Sequence, residues 1–206
     1  MEDPFALLEL PRHPWVDATE LKEHFLARSA AVHPDRQHDA SEAAKAEAQR
    51  RFADLNAAYN CLRDARERLH RLLTLESGGP PKDVQRIPPG TMDLFVEIGQ
   101  ACREVDGFLE ENAAVTSPML KVKRFEQGLE WTDRLQALLA TVGDKRGQLE
   151  EELRSLNVVW DAAPPVGSPA RGAGLPLERL EQIYRILSYV SRWTDQLQER
   201  VVRLAM

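Results

Sequence analysis

From Leu180 to Leu204 one set of residues returns at alternating steps of three and four: Leu180, Ile183, Leu187, Val190, Thr194, Leu197, Val201 and Leu204. That is heptad spacing, and it lays a single stripe along one side of a helix running from Leu175 to Leu204. A stripe of this length cannot remain in water, so other segments of the chain must cover it. The candidates for that role are themselves helical in pattern. Val, Ile and Thr are sparse outside helical spacings, and no segment alternates apolar and polar residues as a half-buried strand would. The chain is expected to be all-α.

The N-terminal part divides into short helices. Asp3-Pro4 reads as an N-cap followed by proline at the first helical position, opening a helix to about Leu10 that Pro11 and Pro14 stop. Asp17, with Glu20 three residues on, reads as a capping box for a helix ending at His33, where Pro34 forbids continuation. Leu21, Phe25, Ser29 and Val32 form its inward stripe. A second helix spans about Ala43 to Leu62, with Phe52, Leu55, Ala58 or Tyr59, and Leu62 placed to face Phe25 and Val32 across an antiparallel pair. A further helix from about Arg66 to Glu76 ends at Gly78-Gly79-Pro80-Pro81, the clearest punctuation in the chain. These features divide the chain into a first domain over residues 1–77, a linker over 78–90, and a second helical domain over 91–206.

In the second domain, helices are expected over about Thr91–Glu111 and Pro118–Val159, the latter bent or broken near Gly143 and Gly147. A flexible Pro/Gly/Ser loop is expected over Ala162–Gly174, and then the heptad helix. Three such helices bury one another best as an antiparallel three-helix bundle.

Composition narrows the function. With 43% apolar and 29% charged residues the chain has the balance of a soluble globular protein. A net charge of −6 argues against a nucleic-acid-binding role, which needs a basic face. Apolar runs are too short for a membrane span, and Met1-Glu2-Asp3-Pro4 has no secretory character, so a cytoplasmic protein is expected. Cys61 and Cys102 lie far apart, as reduced thiols would. His13, His24, His33, His38 and His70 show no metal-ligand spacing, and no cofactor motif occurs. Carboxylates such as Glu110, Glu111 and Glu150–Glu152 read as solvated helix faces. No positioned nucleophile or phosphate loop accompanies them, so no catalytic residue is assigned.

His33-Pro34-Asp35 lies between the two paired helices. Proline stiffens the exit from the first helix and presents histidine and aspartate at fixed spacing. Asp35 can accept charge-assisted hydrogen bonds from a partner arginine, and His33 offers a donor and an acceptor together. As a tripeptide alone, it is equally a helix end stopped by proline, with histidine favoured there by the helix dipole.

With its flanking helices, the segment from Asp3 to Leu75 resembles the J-domain family, co-chaperones of DnaK-type chaperones. The resemblance rests on Asp3-Pro4-Phe5-Ala6-Leu7-Leu8, on Leu21 to Asp35, and on Leu55-Asn56-Ala57-Ala58-Tyr59. It implies that the His33-Pro34-Asp35 loop docks on the chaperone and stimulates its ATP hydrolysis, and that the domain has no active site of its own. The same resemblance assigns Lys22, Arg28 and Arg36 to the basic face that meets the chaperone. That face is thin, since Leu26, Ala27 and Ala31 share it, and Arg28 occupies a position where a core leucine is common. It is therefore expected to snorkel or to alter the packing.

No Gly/Phe-rich linker and no CxxC repeat follow the first domain. A J-domain followed directly by a helical bundle is similar to the HscB family, as is the stretch Tyr59–Leu75. This implies delivery of an IscU-type iron–sulfur scaffold protein to an HscA-type chaperone, with an apolar bundle patch gripping the scaffold. Leu94, Phe95, Ile98 and Ile186 fall at the patch positions, accompanied by the carboxylate of Asp106, with Glu97 and Glu104 nearby. Ile186 lies off the Leu180 stripe and is expected to be more exposed than its members. The bundle equally suits another client, delivered to a general DnaK-type chaperone. A coiled-coil oligomer built on the Leu180 stripe is the remaining alternative.

Overall fold

The structure, a computed structural model, describes residues 3–32, 41–81, 88, 90–113 and 116–205. Among these, helices are joined by turns and irregular segments, and no strand occurs. In chain order they are α1 (Pro4–Leu7), α2 (Ala18–Val32), α3 (Glu42–Arg63), α4 (Ala65–Ser77), α5 (Met92–Ala113), α6 (Pro118–Asp161), α7 (Arg171–Gly174) and α8 (Leu177–Leu204). The all-α expectation holds.

Local chemistry sets most of these starts. Asp3 caps α1 by accepting from the Phe5 amide at 3.0 Å, with Pro4 at the position where a missing N–H costs nothing. Asp17 does the same for α2, accepting from the amides of Thr19 and Glu20. Ser41 caps α3, and Asp64 caps α4 through the Glu67 amide at 2.8 Å. Gly78 closes α4 in the left-handed region at φ 76°, which glycine adopts without a Cβ clash.

Contacts group the chain into two compact units. One combines Met1–Asp83 with Glu150–Tyr184; the other combines Val84–Leu149 with Arg185–Met206. This grouping is a different partition from the 1–77, 78–90 and 91–206 reading. The physical reason is that side chains of residues 150–184 pair with the N-terminal helices. Asn157 holds both backbone groups of Trp15, accepting from its amide at 3.1 Å and donating to its carbonyl at 2.9 Å. Arg171 forms a two-pronged pair with Glu76, at 2.8 and 3.0 Å, and Arg12 approaches the same carboxylate. The His70 ring lies against Tyr184.

The first unit buries Phe5, Leu8, Leu21, Leu55, Leu62, Leu69 and Leu72 from α1 to α4. Arg68 is buried with them, donating to the carbonyls of Pro14 and Leu62, and its burial lowers its pKa. In the second unit α5, α6 and α8 pack side by side. Glu104 pairs with Arg134 and Glu111 with Arg124, so α5 and α6 run antiparallel. Phe95 meets Tyr189 and Asp106 meets Arg200, so α8 returns parallel to α5. This is an up-down-up arrangement of three helices.

Two sequence expectations change. α6 continues unbroken through Gly143 and Gly147. Each glycine costs about 1 kcal/mol against alanine, and the buried neighbours Val142 and Leu149 hold the helix against that penalty. The Ala162–Gly174 loop is also tied down: Arg171 donates to the Pro164 carbonyl as well as to Glu76, and a single helical turn forms at α7.

Candidate functional site

Two surfaces carry the functional question, one on each unit. The first is the α2–α3 hairpin. Its helices are held by Leu21, Ser29, Leu55, Ala58 and Leu62 inside, and by Phe25 stacked on Tyr59 with ring centroids 4.6 Å apart. Phe25 and Val32 are half-buried, so the inward stripe sits at the edge of the core at those positions. His24 Nδ1 lies 2.8 Å from the Leu8 carbonyl, fixing α2 to the end of α1. His33, Pro34, Asp35 and Arg36 lie outside the described residues, between the end of α2 at Val32 and the Ser41 cap of α3.

Lys22 is exposed on α2. Arg28 does not snorkel over the core: it is exposed and ion-paired with Glu9, whose backbone takes a positive φ of 54° just after α1. The guanidinium is drawn outward by an acid. Leu26, two residues earlier, is 54% exposed, so the solvent side of α2 carries an apolar side chain as well as a partly neutralised cation.

The second surface is on the bundle. Its expected residues separate. Phe95 is 39% exposed, and Leu94 is half-buried. Ile98 and Ile186 belong to the core, at 1% and 6% exposure. The expectation for Ile186 is thus corrected. It stands one residue from Leu187 on the stripe, and with α8 packed against two helices the buried arc is wide enough to take in both. The stripe is occupied within the chain: Leu180, Ile183, Leu187, Val190 and Leu197 are all buried, leaving no seam for a coiled-coil oligomer.

Met92 and Val96 complete the exposed face around Phe95, each about half exposed. Sequence reasoning passed over them although Met92 stands three residues before Phe95 and four before Val96, the spacings at which helical side chains are neighbours. Asp93 and Glu97 are exposed on the same turns. Asp106 is committed elsewhere, accepting from Arg200 and, at 3.1 Å, from Arg203. Glu104 accepts from Gln100 and Arg134, and these hydrogen bonds lower its pKa.

Other charged groups are likewise engaged. Glu111 pairs with Arg124 and Glu152 with Arg179. Among the described residues, no set of three or more His, Cys, Asp or Glu side chains converges to hold a metal ion. Cys61 and Cys102 are free thiols whose pKa values are raised by burial. No described helix is long and apolar enough to cross a membrane.

The DnaJ domain family model matches residues 3–70, the stretch that forms α1 to α3 and the first turns of α4. With the capped hairpin, this defines a J-domain protein. A co-chaperone HscB homolog from Mannheimia succiniciproducens is 33% identical over 151 residues, spanning 68% of this chain and 86% of the relative. The chain belongs to the HscB family of J-domain co-chaperones, a family of non-enzymatic proteins. The fold agrees: the crystal structure of human co-chaperone HscB superposes with a TM-score of 0.61 at 17% identity, covering 97% of this chain and 82% of the human one. The chaperone HscB from Vibrio cholerae matches over 95% of this chain and 99% of its own at 22% identity, with a TM-score of 0.44.

Proposed function

We propose that this chain is an adaptor. Its J-domain stimulates ATP hydrolysis by a DnaK- or HscA-type chaperone through His33-Pro34-Asp35, and its bundle presents an IscU-type iron–sulfur scaffold protein to that chaperone. The observation that carries the proposal is the pairing of a J-domain hairpin with a bundle exposing Phe95, Met92 and Val96 in a chain of the HscB family. Lys22 and Arg36 supply cations to the chaperone face. Arg28 contributes less, because Glu9 already meets its charge.

The scaffold face consists of Leu94 and Phe95 with Met92 and Val96. Ile98 and Ile186 support it from beneath. Asp106 acts by holding α5 to α8 through its two arginines, while Asp93 and Glu97 supply the exposed negative charge.

The test is steady-state ATP hydrolysis by the cognate chaperone, with and without this protein. Wild-type protein accelerates turnover and His33→Gln does not. Equal acceleration by a folded His33→Gln variant refutes the assignment.

A second reading keeps the J-domain and changes the client to another protein carried to a general DnaK-type chaperone. The engagement of Asp106 by Arg200 and Arg203, and the burial of Ile98 and Ile186, favour it, since they leave a smaller patch than the family resemblance implies. Affinity capture on the immobilised full chain separates the two. Recovery of an iron–sulfur scaffold supports the first, and its absence beside another stoichiometric client supports the second.

A further inference from the structure

The first three turns of α6 carry a second apolar face, on the side turned away from α5. Arg124 reaches towards α5, pairing with Glu111 and lying over the Phe108 ring. On the opposite side Met119, Val122, Phe125 and Leu129 follow at steps of three, three and four residues, with exposures of 86%, 63%, 69% and 52%. This is one continuous helical stripe. It stands far along α5 from Phe95: the Glu111–Arg124 and Glu104–Arg134 pairs put Met119–Leu129 beside the C-terminal end of α5, whereas Phe95 lies near its start.

The charges beside this stripe identify its occupant. Lys123, Glu126 and Glu130 are exposed and follow at steps of three and four, so they line one edge of the stripe, cation first and acids after. Two copies packed antiparallel about a two-fold axis bring the same edge together. Packed in parallel, the axis runs along the helices and sets this edge against the opposite edge of the partner, so that Lys123 finds no acid there. Packed antiparallel, Lys123 of one copy meets Glu126 and Glu130 of the other, and Met119 and Val122 meet Leu129 and Phe125. The antiparallel pair is therefore the one in which this edge meets itself, and there its charges are complementary. An anionic bilayer suits it poorly, because the two acids would lie at the lipid surface in a chain whose net charge is already −6.

We propose that Met119, Val122, Phe125 and Leu129 form a homodimer interface, in which the α6 N-terminal turns of two copies pair antiparallel with Lys123 against Glu126 and Glu130. Covering the exposed parts of these side chains on both copies removes on the order of 1,000 Å² from water, at the lower end of specific interfaces. The dimer is accordingly weak and concentration-dependent, and it leaves the Phe95 face free.

Sedimentation velocity on the full chain between about 1 and 500 µM tests this. Wild type is expected to shift from monomer to dimer across that range, and Phe125→Glu to raise the dissociation constant at least tenfold. Lys123→Glu alone makes the edge wholly acidic, and Glu126→Lys with Glu130→Lys makes it wholly basic. Each should lose self-association, and an equimolar mixture of the two should recover a heterodimer. Far-UV circular dichroism confirms that each variant is folded, which these exposed positions permit. Three results overturn the proposal: wild type monomeric throughout, dimerisation unaffected by Phe125→Glu, or no recovery in the mixture. Binding of monomeric protein to phosphatidylserine vesicles would assign the stripe to a membrane surface instead.

Discussion

Replacing Phe95 and Ile98 separately by alanine distinguishes a client-binding face from the core beneath it. Phe95 exposes 39% of its surface. For a side chain of about 200 Å² this is about 80 Å² still open to a partner, about 2 kcal/mol of binding at 25 cal/mol/Å², or roughly 30-fold in affinity. The rest of the ring lies edge-on to Tyr189, with centroids 6.5 Å apart, so Phe95→Ala also costs about 1 kcal/mol of stability. Ile98 is 1% exposed and has almost nothing left to offer a partner. Its truncation leaves a cavity and costs about 2–5 kcal/mol of stability. Isothermal titration with a purified IscU-type scaffold, at a temperature where both variants remain folded, gives the binding half; urea unfolding followed by circular dichroism gives the other. The expected pattern is crossed: Phe95→Ala binds about 30-fold more weakly with a small loss of stability, and Ile98→Ala binds normally with a large one. If Ile98→Ala weakens binding as much as Phe95→Ala does, the assignment of these residues from burial is refuted.

Loss of the His33 side chain in His33→Gln should abolish chaperone stimulation while leaving the thermal midpoint within a degree or two, as differential scanning fluorimetry would show. Glu76→Ala strands Arg171, whose side chain is 9% exposed, and is expected to cost about 3–5 kcal/mol in urea unfolding. It should also open residues 162–174 to trypsin at Arg171. Cys102 should react with a thiol reagent far more slowly in the native protein than in urea, since burial both blocks it and raises its pKa. Because that thiol is favoured neutral in the folded state, its contribution to stability is full below the ordinary thiol pKa and is lost as pH rises from there through the raised folded-state value. Alkaline unfolding curves of wild type and Cys102→Ala should therefore converge.

Much of the fold is legible in the chain because its signals are local. Asp3, Asp17 and Asp64 accept from amides two or three residues ahead, so helix starts are set by neighbours in sequence. The Leu180 stripe is a property of one helix and is buried where its period places it. The J-domain motif is likewise a matter of order and spacing along the chain. Where the sequence reading failed, it lacked a partner from a distant segment. Arg28 was read against the core, but Glu9 draws it outward. Gly143 and Gly147 suggested a break that packing prevents.

The patch divides along the same line. Order along the chain decides that Leu94, Phe95 and Ile98 occupy neighbouring turns of one helix, because helical period alone fixes that. Which of them meets solvent depends on how α5 rolls against α6 and α8, and that rotation is fixed by contacts such as Asp106 with Arg200 and Phe95 with Tyr189, some 94 residues apart in the chain. The sequence by itself therefore determined the class of protein and its helices. Only tertiary packing decided that Phe95 faces outward while Ile98 and Ile186 face in, that Arg171 locks a loop to Glu76, and that the start of α6 turns an apolar side to solvent.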